Sequence, residues 1–451
     1  AGLGLGALRI MGPEAEAFDR EAALERPAGA TIAVMPLEAL GGGAQSAYLA
    51  EGLGEDLVVE LGRFRDLNVL SRQATLMYVD DASDPRRLGR LLGADYILQG
   101  SVRQAGGRLR VTARLYDART GAQVWSEAFD EAMTASDLFD VQLRITERVA
   151  YAVGDTDGAI QAIDARVARA KPPESLTSYE CTLNHSDFFD RPDLQERVRG
   201  CILRVVAEEP DYWRGWAQLA DALRVDVMLF AGLYDGTHPE KLEQALEAAQ
   251  RAVSLNPDSP RAHYVLASVR LLLGDREGFF AACERALGLG GDRFIEGEIG
   301  YWFVWAGRLE LGAALLRRAV DLNPAMTSTD WHRGLAEYHF LTGDYREATR
   351  ELTRGREPHY WWAVAEEVAI LSAAGDAVGA ARARDRMFAL RPDVKIADIV
   401  WVYRRFQRPE AHIAKYVEAF ARAGIPAGNF APLDLADTGV DPAVPLPASD
   451  G

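Results

Sequence analysis

The chain has 451 residues, of which 50 are basic and 67 acidic, giving a formal net charge of −17. Apolar residues at 48% and charged residues at 26% exclude a disordered or fibrous chain, and at ~150 residues per domain the length predicts about three domain equivalents. The arginines are scattered among acids and lysine occurs only at Lys171, Lys241, Lys395 and Lys415, so no basic stripe offers phosphate contacts and no nucleic-acid partner is expected.

Cys181, Cys201 and Cys283 form no Cys-x-x-Cys or Cys/His set, which predicts neither a disulfide framework nor a structural zinc. No stretch reaches the ~18 consecutive apolar residues of a membrane-spanning helix. Residues 1–11 (AGLGLGALRIM) are small and apolar. They read either as a loop or helix start, or as the tail of a spanning segment or linker whose beginning lies upstream.

Residues 1–30 therefore form an N-terminal tether, Glu/Ala-rich from 12 onward and closed by Pro27. Residues 31–40 are β-branched and apolar, predicting a strand that runs into the Gly41-Gly42-Gly43 loop. Leu49, Leu53, Leu57 and Leu61 then recur at helical spacing through residues 46–64. A short strand at 67–72 precedes a helix at 84–93, with Asp84 as N-cap and Pro85 at the first helical position. Strands follow at 95–103, 108–117 and 124–129, joined at Gly106-Gly107 and Thr120-Gly121. In the middle one, Leu109, Val111, Ala113 and Leu115 alternate with Arg108, Arg110, Thr112 and Arg114, so one face must be wet. A helix at 137–153 closes the domain. The order βαβαβββα over residues 31–155 predicts a small α+β fold with a largely antiparallel sheet. Pro172-Pro173 makes residues 156–177 a linker.

From 178 onward there is no strand signal and the sequence repeats. Pro257, Gly291, Pro324, Pro358 and Pro392 are separated by 34, 33, 34 and 34 residues, the period of the tetratricopeptide helix-turn-helix. Inside the units, turns fall at Gly274-Asp275, Gly307-Arg308, Gly343-Asp344 and Gly375-Asp376. A longer first unit carries an insertion near residues 230–238. Phe279 stands where a small residue is usual, predicting looser packing there. Degenerate helix pairs at 179–207 and 396–423 cap the array. The repeats thus span 178–424, and the proline-rich residues 425–451 predict a disordered tail. Cys181 and Cys201 fall on helices made antiparallel by a turn near residues 190–192, which leaves a bridge between them open in an oxidising compartment.

The segments IAVMPLEAL, YLAEGLGEDLVVELGRFRDLNVLSR and LGRLLGADYILQGSVRQAGGRLRVTARLYDARTGAQVW resemble the TolB N-terminal-like domain that precedes tetratricopeptide repeats in bacterial signalling proteins. The ending YVEAFARAGIPAG resembles the usual C-terminus of such chains. The resemblance implies an output domain N-terminal to this region, a class III adenylate cyclase or a winged-helix domain, often across a membrane. It places this part on the periplasmic side, with a cytoplasmic location as the alternative.

Enzymatic motifs are absent: there is no His-Glu-x-x-His, no Gly-x-Ser-x-Gly and no Gly-x-x-x-x-Gly-Lys-Ser/Thr. No catalytic residue, cofactor or metal is expected. Aromatic clusters at Tyr301-Trp302-Phe303-Trp305 and Tyr360-Trp361-Trp362 are mostly core. With each glycine turn at the fifteenth repeat position, Tyr264, Tyr301, Arg333 and Glu337 fall at the fifth or ninth, the groove-lining positions of the repeat family. Arg214, Asp221 and Arg224 are their counterparts in the long first unit. The expectation is a non-enzymatic sensory or protein-interaction region that binds a protein or peptide in its groove. The rivals are a self-contained tetratricopeptide scaffold and an enzyme with an unrecognised site.

Overall fold

The computed structural model describes residues 29–434, apart from 42, 65–66, 80–83, 106, 133–137, 156–157, 184–191, 229–238, 323–328, 356 and 359. The expected tether up to residue 28, the insertion at 230–238 and the tail beyond 434 lie outside the described residues.

Two strands replace the single one expected at 31–40. Pro36 has no N–H to continue a ladder, so β1 (Ala30–Val34) stops and β2 (Glu38–Ala39) resumes. Both lie along β4 (Tyr96–Ala105), β1 opposite residues 96–98 and β2 opposite 101–102. Between them Leu37 arches over Gly100, where an added Cβ would stand 2.8 Å from Leu37 Cδ2 and 2.6 Å from the Thr112 carbonyl. With β3 (Leu67–Val69), β5 (Arg108–Asp117) and β6 (Gln123–Ala132), the strand order is β3-β1-β4-β5-β6. The sheet is mixed. β1 pairs parallel with β3 and β4, whereas the long β4-β5-β6 ladders are antiparallel.

Helix α1 (Gly43–Leu61) buries Leu49, Leu53, Leu57 and Leu61 on one sheet face, beside Val141, Ile145 and Val149 of α4 (Leu138–Gly154). After the short α2 (Arg72–Leu76), α3 (Pro85–Leu92) covers the other face of the parallel half with Leu88. The Asp84 carboxylate accepts from Arg86 N at 3.0 Å, capping α3 as expected. The remaining face of the antiparallel half is wet, and there Arg110 forks onto Asp130 at 2.8 and 2.6 Å.

Residues 156–177 do not form a free linker. They contain α5 (Ala159–Arg169), whose Ile160 and Ile163 join the sheet-domain core. The Asp164 carboxylate accepts hydroxyls from Tyr96 at 2.6 Å and Tyr179 at 3.1 Å, tying the sheet to the first helix of the array. That helix, α6 (Ser178–Thr182), is joined to α7 (Pro192–Glu208) by a Cys181–Cys201 disulfide with a Cα separation of 5.7 Å.

The array then runs through α8 (Trp213–Asp226) and α9 (Pro239–Leu255), followed by four pairs. These are α10 (Pro260–Leu273) with α11 (Arg276–Leu289), α12 (Arg293–Trp305) with α13 (Leu309–Leu322), α14 (Thr329–Thr342) with α15 (Tyr345–Arg354), and α16 (Trp361–Ala373) with α17 (Ala377–Leu390). Each intra-pair turn is the predicted glycine in a left-handed conformation, φ 84° at Gly274 and 90° at Gly343. Asp275, Asp344 and Asp376 each cap the following helix. Phe279 opens no gap. It is fully buried and meets Phe303 edge to face, with centroids 6.1 Å apart.

The two modules are docked together. Phe294 N donates to the Asp155 carboxylate at 3.1 Å. The Arg293 guanidinium lies 5.0 Å over the Tyr151 ring and ion-pairs with Glu296 and, at 3.6 Å, with Glu147. Leu322 packs on the sheet-domain core. The terminal pair, α18 (Ile396–Arg405) and α19 (Glu410–Arg422), is followed by an extended strap. In the strap Ile425 is buried, and the carbonyls of Pro426 and Ala427 accept from Ile396 N and Ala397 N. The expected tail therefore starts with a packed segment, residues 425–434.

Candidate functional site: the inner face of the repeats

All seven expected groove residues lie on the row formed by the first helices of the pairs, or on α8 beside it, and all are buried, none above 9% exposure. The structure thus puts them on or beside one row and takes them out of solvent. On α12 and α14 the reason is an occupant. The α18–α19 turn, Phe406-Gln407-Arg408, inserts against this row, and α19 follows it inward. Phe406 sits among Trp302, Trp305 and Trp362, with the Trp305 centroid 4.8 Å away. The Gln407 carbonyl accepts from Arg276 Nη1 at 2.9 Å. Tyr416 meets Phe340 at a tilt of 49° with centroids 4.7 Å apart, and Lys415 Nζ donates to the Leu341 carbonyl. Gln407 has φ 55°, the one non-glycine residue with positive φ among those described. Its strain, of order 1–3 kcal/mol, is offset by the burial of both neighbours.

Around this turn lies a charged network. Arg408, its side chain 1% exposed, ion-pairs with Glu337 of α14 and Glu366 of α16, both fully buried, and its guanidinium lies 4.1 Å over Trp305 and 4.2 Å over Tyr403. Arg333 reaches Glu366 at 3.2 Å and donates to the Tyr301 hydroxyl at 3.1 and 2.7 Å. Two arginines thus balance two carboxylates. Burial, reinforced by the Glu337 charge, pushes the Glu366 carboxyl up to about 7 against the opposing pull of Arg408 and Arg333.

A second cluster adjoins it. Tyr264 donates to Glu298 at 3.1 Å and accepts from Trp302 Nε1 at 3.4 Å, while Trp331 Nε1 donates to the other Glu298 oxygen. Arg224 pairs with Asp221, its Nε 3.0 Å from the carboxylate, and lies 6.0 Å over Trp302. Arg214 is brought to neither cluster. It lies 5.3 Å from the Trp213 ring centroid, its pKa lowered to about 9 by burial and by the Arg261 charge.

The residues that sequence reasoning missed are Arg408, Glu366 and Glu298. The helix pair carrying Arg408 reads as a degenerate cap, and no repeat register extends to its turn. One signal was available: Trp302 and Trp305 of α12 and Trp362 of α16 are large rings on one row, and Phe406 fits among them.

Magnitudes decide whether another segment can take this place. Tyr403, Phe406, Ile413, Tyr416, Phe420 and Ile425 are each 4% exposed or less, and burying them is worth on the order of 10 kcal/mol together. A micromolar peptide brings about 8 kcal/mol. The turn stays in place and this part of the groove is closed.

Residues 28–148 match the family model of the HilA/YgeH-like transcriptional regulator, second domain. A protein of Rhizobium meliloti (strain 1021), named "Putative adenylate cyclase 3", is 31% identical over 242 residues, which is 53% of this chain and 40% of that protein. The chain thus spans well under half the length of this curated relative. Among solved structures, the APC/C hetero-tetramer Cut9–Hcn1 gives a TM-score of 0.41 at 12% identity, over 64% of this chain and 54% of that one. PilW, described as a type IV pilus biogenesis factor, gives 0.35 at 16% identity over 54% and 98%. YrrB, described as a TPR protein with an unusual peptide-binding site, gives 0.29 at 18% identity over 43% and 93%.

Proposed function

We propose that this chain is the non-enzymatic sensory and protein-interaction region of a membrane-tethered bacterial signalling protein. In this reading a TolB N-terminal-like module and a tetratricopeptide solenoid regulate an adenylate cyclase or DNA-binding domain outside these 451 residues. The observation that carries it is the buried, charged junction of Asp155, Glu147 and Tyr151 with Arg293 and Phe294. Such a junction can pass a change in the helical array to the module nearest the N-terminal side. The regulator-domain match and the cyclase name of the Rhizobium relative support a signalling context. The Cys181–Cys201 bridge supports an oxidising compartment, hence the periplasmic side. Partner contacts fall on surfaces other than the closed inner face.

The test compares the purified 451-residue chain with the longer gene product that contains it. The chain alone should form no cyclic nucleotide from ATP, and the longer product should cyclise ATP or bind DNA. Turnover by the chain alone overturns the non-enzymatic reading. A gene with no further domain would favour the self-contained scaffold.

A further inference from the structure

Where the two modules meet, they leave a cleft of about 910 Å³. Gly62, Arg63, Phe64, Gly154 and Gln161 line it from the sheet domain, and Trp213, residues 258–261 and residues 287–292 from the helical array. The Gly288-Leu289-Gly290-Gly291 run is the one place where the repeat departs from its proline. Gly291, at φ 82°, brings its backbone against the Arg63 backbone, and an added Cβ would stand 3.1 Å from the Arg63 carbonyl. The departure from the repeat is thus what lets the modules approach and enclose the cleft.

The lining offers one arginine outside any ion pair among the described residues, Arg261. Arg261 donates to a neutral partner, Gln218 Oε1, at 3.0 Å and makes no ion pair among the described residues. Arg214 lies behind it, close enough that the two charges oppose each other. Gln218 is 2% exposed, and its Nε2 has no hydrogen-bond partner among the described residues. The acids at the cleft are committed elsewhere, Asp258 to Arg285 at 3.3 Å and Asp292 to capping α12 through Ile295 N at 2.9 Å. The Arg63 charge is held by Glu60 at 3.0 Å. Beside these donors stand the apolar surfaces of Trp213, Phe64 and Leu287. A lining arginine held only by a neutral amide, set beside an indole, calls for an anion carrying a flat apolar body.

We propose that this cleft binds a small aromatic anion, a phosphate or carboxylate on a planar ring system, with Arg261 taking the charge and Trp213 the ring. It would be the ligand of the sensory region proposed above and rests on that reading. The binding assay uses this chain alone, so its failure is distinct from failure of the cyclase comparison.

The experiment is calorimetric titration of the 451-residue chain with 1-naphthyl phosphate and, separately, with neutral 1-naphthol. One phosphate per chain should bind, with naphthol at least tenfold weaker. Arg261→Gln should weaken the phosphate by about tenfold or more, while exposed Arg382→Gln leaves it unchanged. Gly288→Phe is the second variant. An added Cβ at Gly288 meets nothing within 4 Å, so this substitution fills the cleft without touching Arg261 and should abolish binding, with the melting temperature reporting the fold. Equal affinity for phosphate and naphthol, no binding of the phosphate, or phosphate binding that survives both cleft variants overturns the proposal.

Discussion

Arg408 neutralises two glutamates that have no access to water, and that arrangement makes the inner face sensitive to single side chains. Removing it as Arg408→Met leaves Glu337 and Glu366 buried with Arg333 alone to balance them. The expected cost is about 3–5 kcal/mol in urea unfolding, and Arg408→Met with Glu337→Leu should cost less than Arg408→Met alone. If the double variant is the worse one, the charge-balance account fails. The pH dependence has a definite sign. In the unfolded chain Glu366 releases its proton near ~4.3, whereas in the folded chain it holds it up to about 7. Its contribution is therefore complete below the unfolded value and is lost as pH rises toward and through 7. Glu366→Gln stays neutral throughout, so relative to wild type it should gain roughly 1–3 kcal/mol between pH 5 and pH 8. A difference that does not change with pH refutes the shift. At this scale the sequence put forward Tyr301, Arg333 and Glu337 as groove residues by register, and the structure places them buried on the inner row. It left out Arg408 and Glu366, because contacts of Arg408 across 71 residues to Glu337 and 42 to Glu366 leave no local pattern.

Among the elements, those with strong periodicity were legible and those set by docking were not. The Asp84 cap and the glycine turns follow from short-range rules and appear, and so does the βαβαβββα order apart from the split first strand and the added α2. Helix α5 was hidden because Pro172-Pro173 marks a boundary in sequence, although Ile160 and Ile163 already stand at helical spacing. The strap beyond Gly424 has no periodic face, and it is ordered by backbone bonds to α18 that only the folded neighbour supplies. Ile425→Ala should cost about 2–4 kcal/mol, measured by thermal melting, whereas an unpacked tail would lose nothing. The Cys181–Cys201 bridge spans 20 residues and should contribute roughly 3 kcal/mol. Under denaturing conditions without reductant, one free thiol, that of Cys283, should titrate. Three would show that the bridge is absent.

For the whole molecule, the decisive feature is the junction of the sheet domain with the repeats. Arg293→Ala takes the guanidinium from Glu296 and leaves Glu147 only Arg318 at 3.9 Å, and Gly291→Pro demands φ near −65° where the chain holds 82°. Each should cost about 2–4 kcal/mol and increase hydrogen exchange in α4 and at the start of α12. Unchanged exchange in both variants would mean that the modules are independent. The sequence by itself determined the succession of an α+β module and a helical repeat array, the 34-residue period and the turns, because each depends on contacts within one helix pair or hairpin. Only the tertiary structure decided that the C-terminal turn closes the inner face and that Gly291 seats one module on the other. Both outcomes rest on surfaces far apart in the chain whose burial outweighs any local preference.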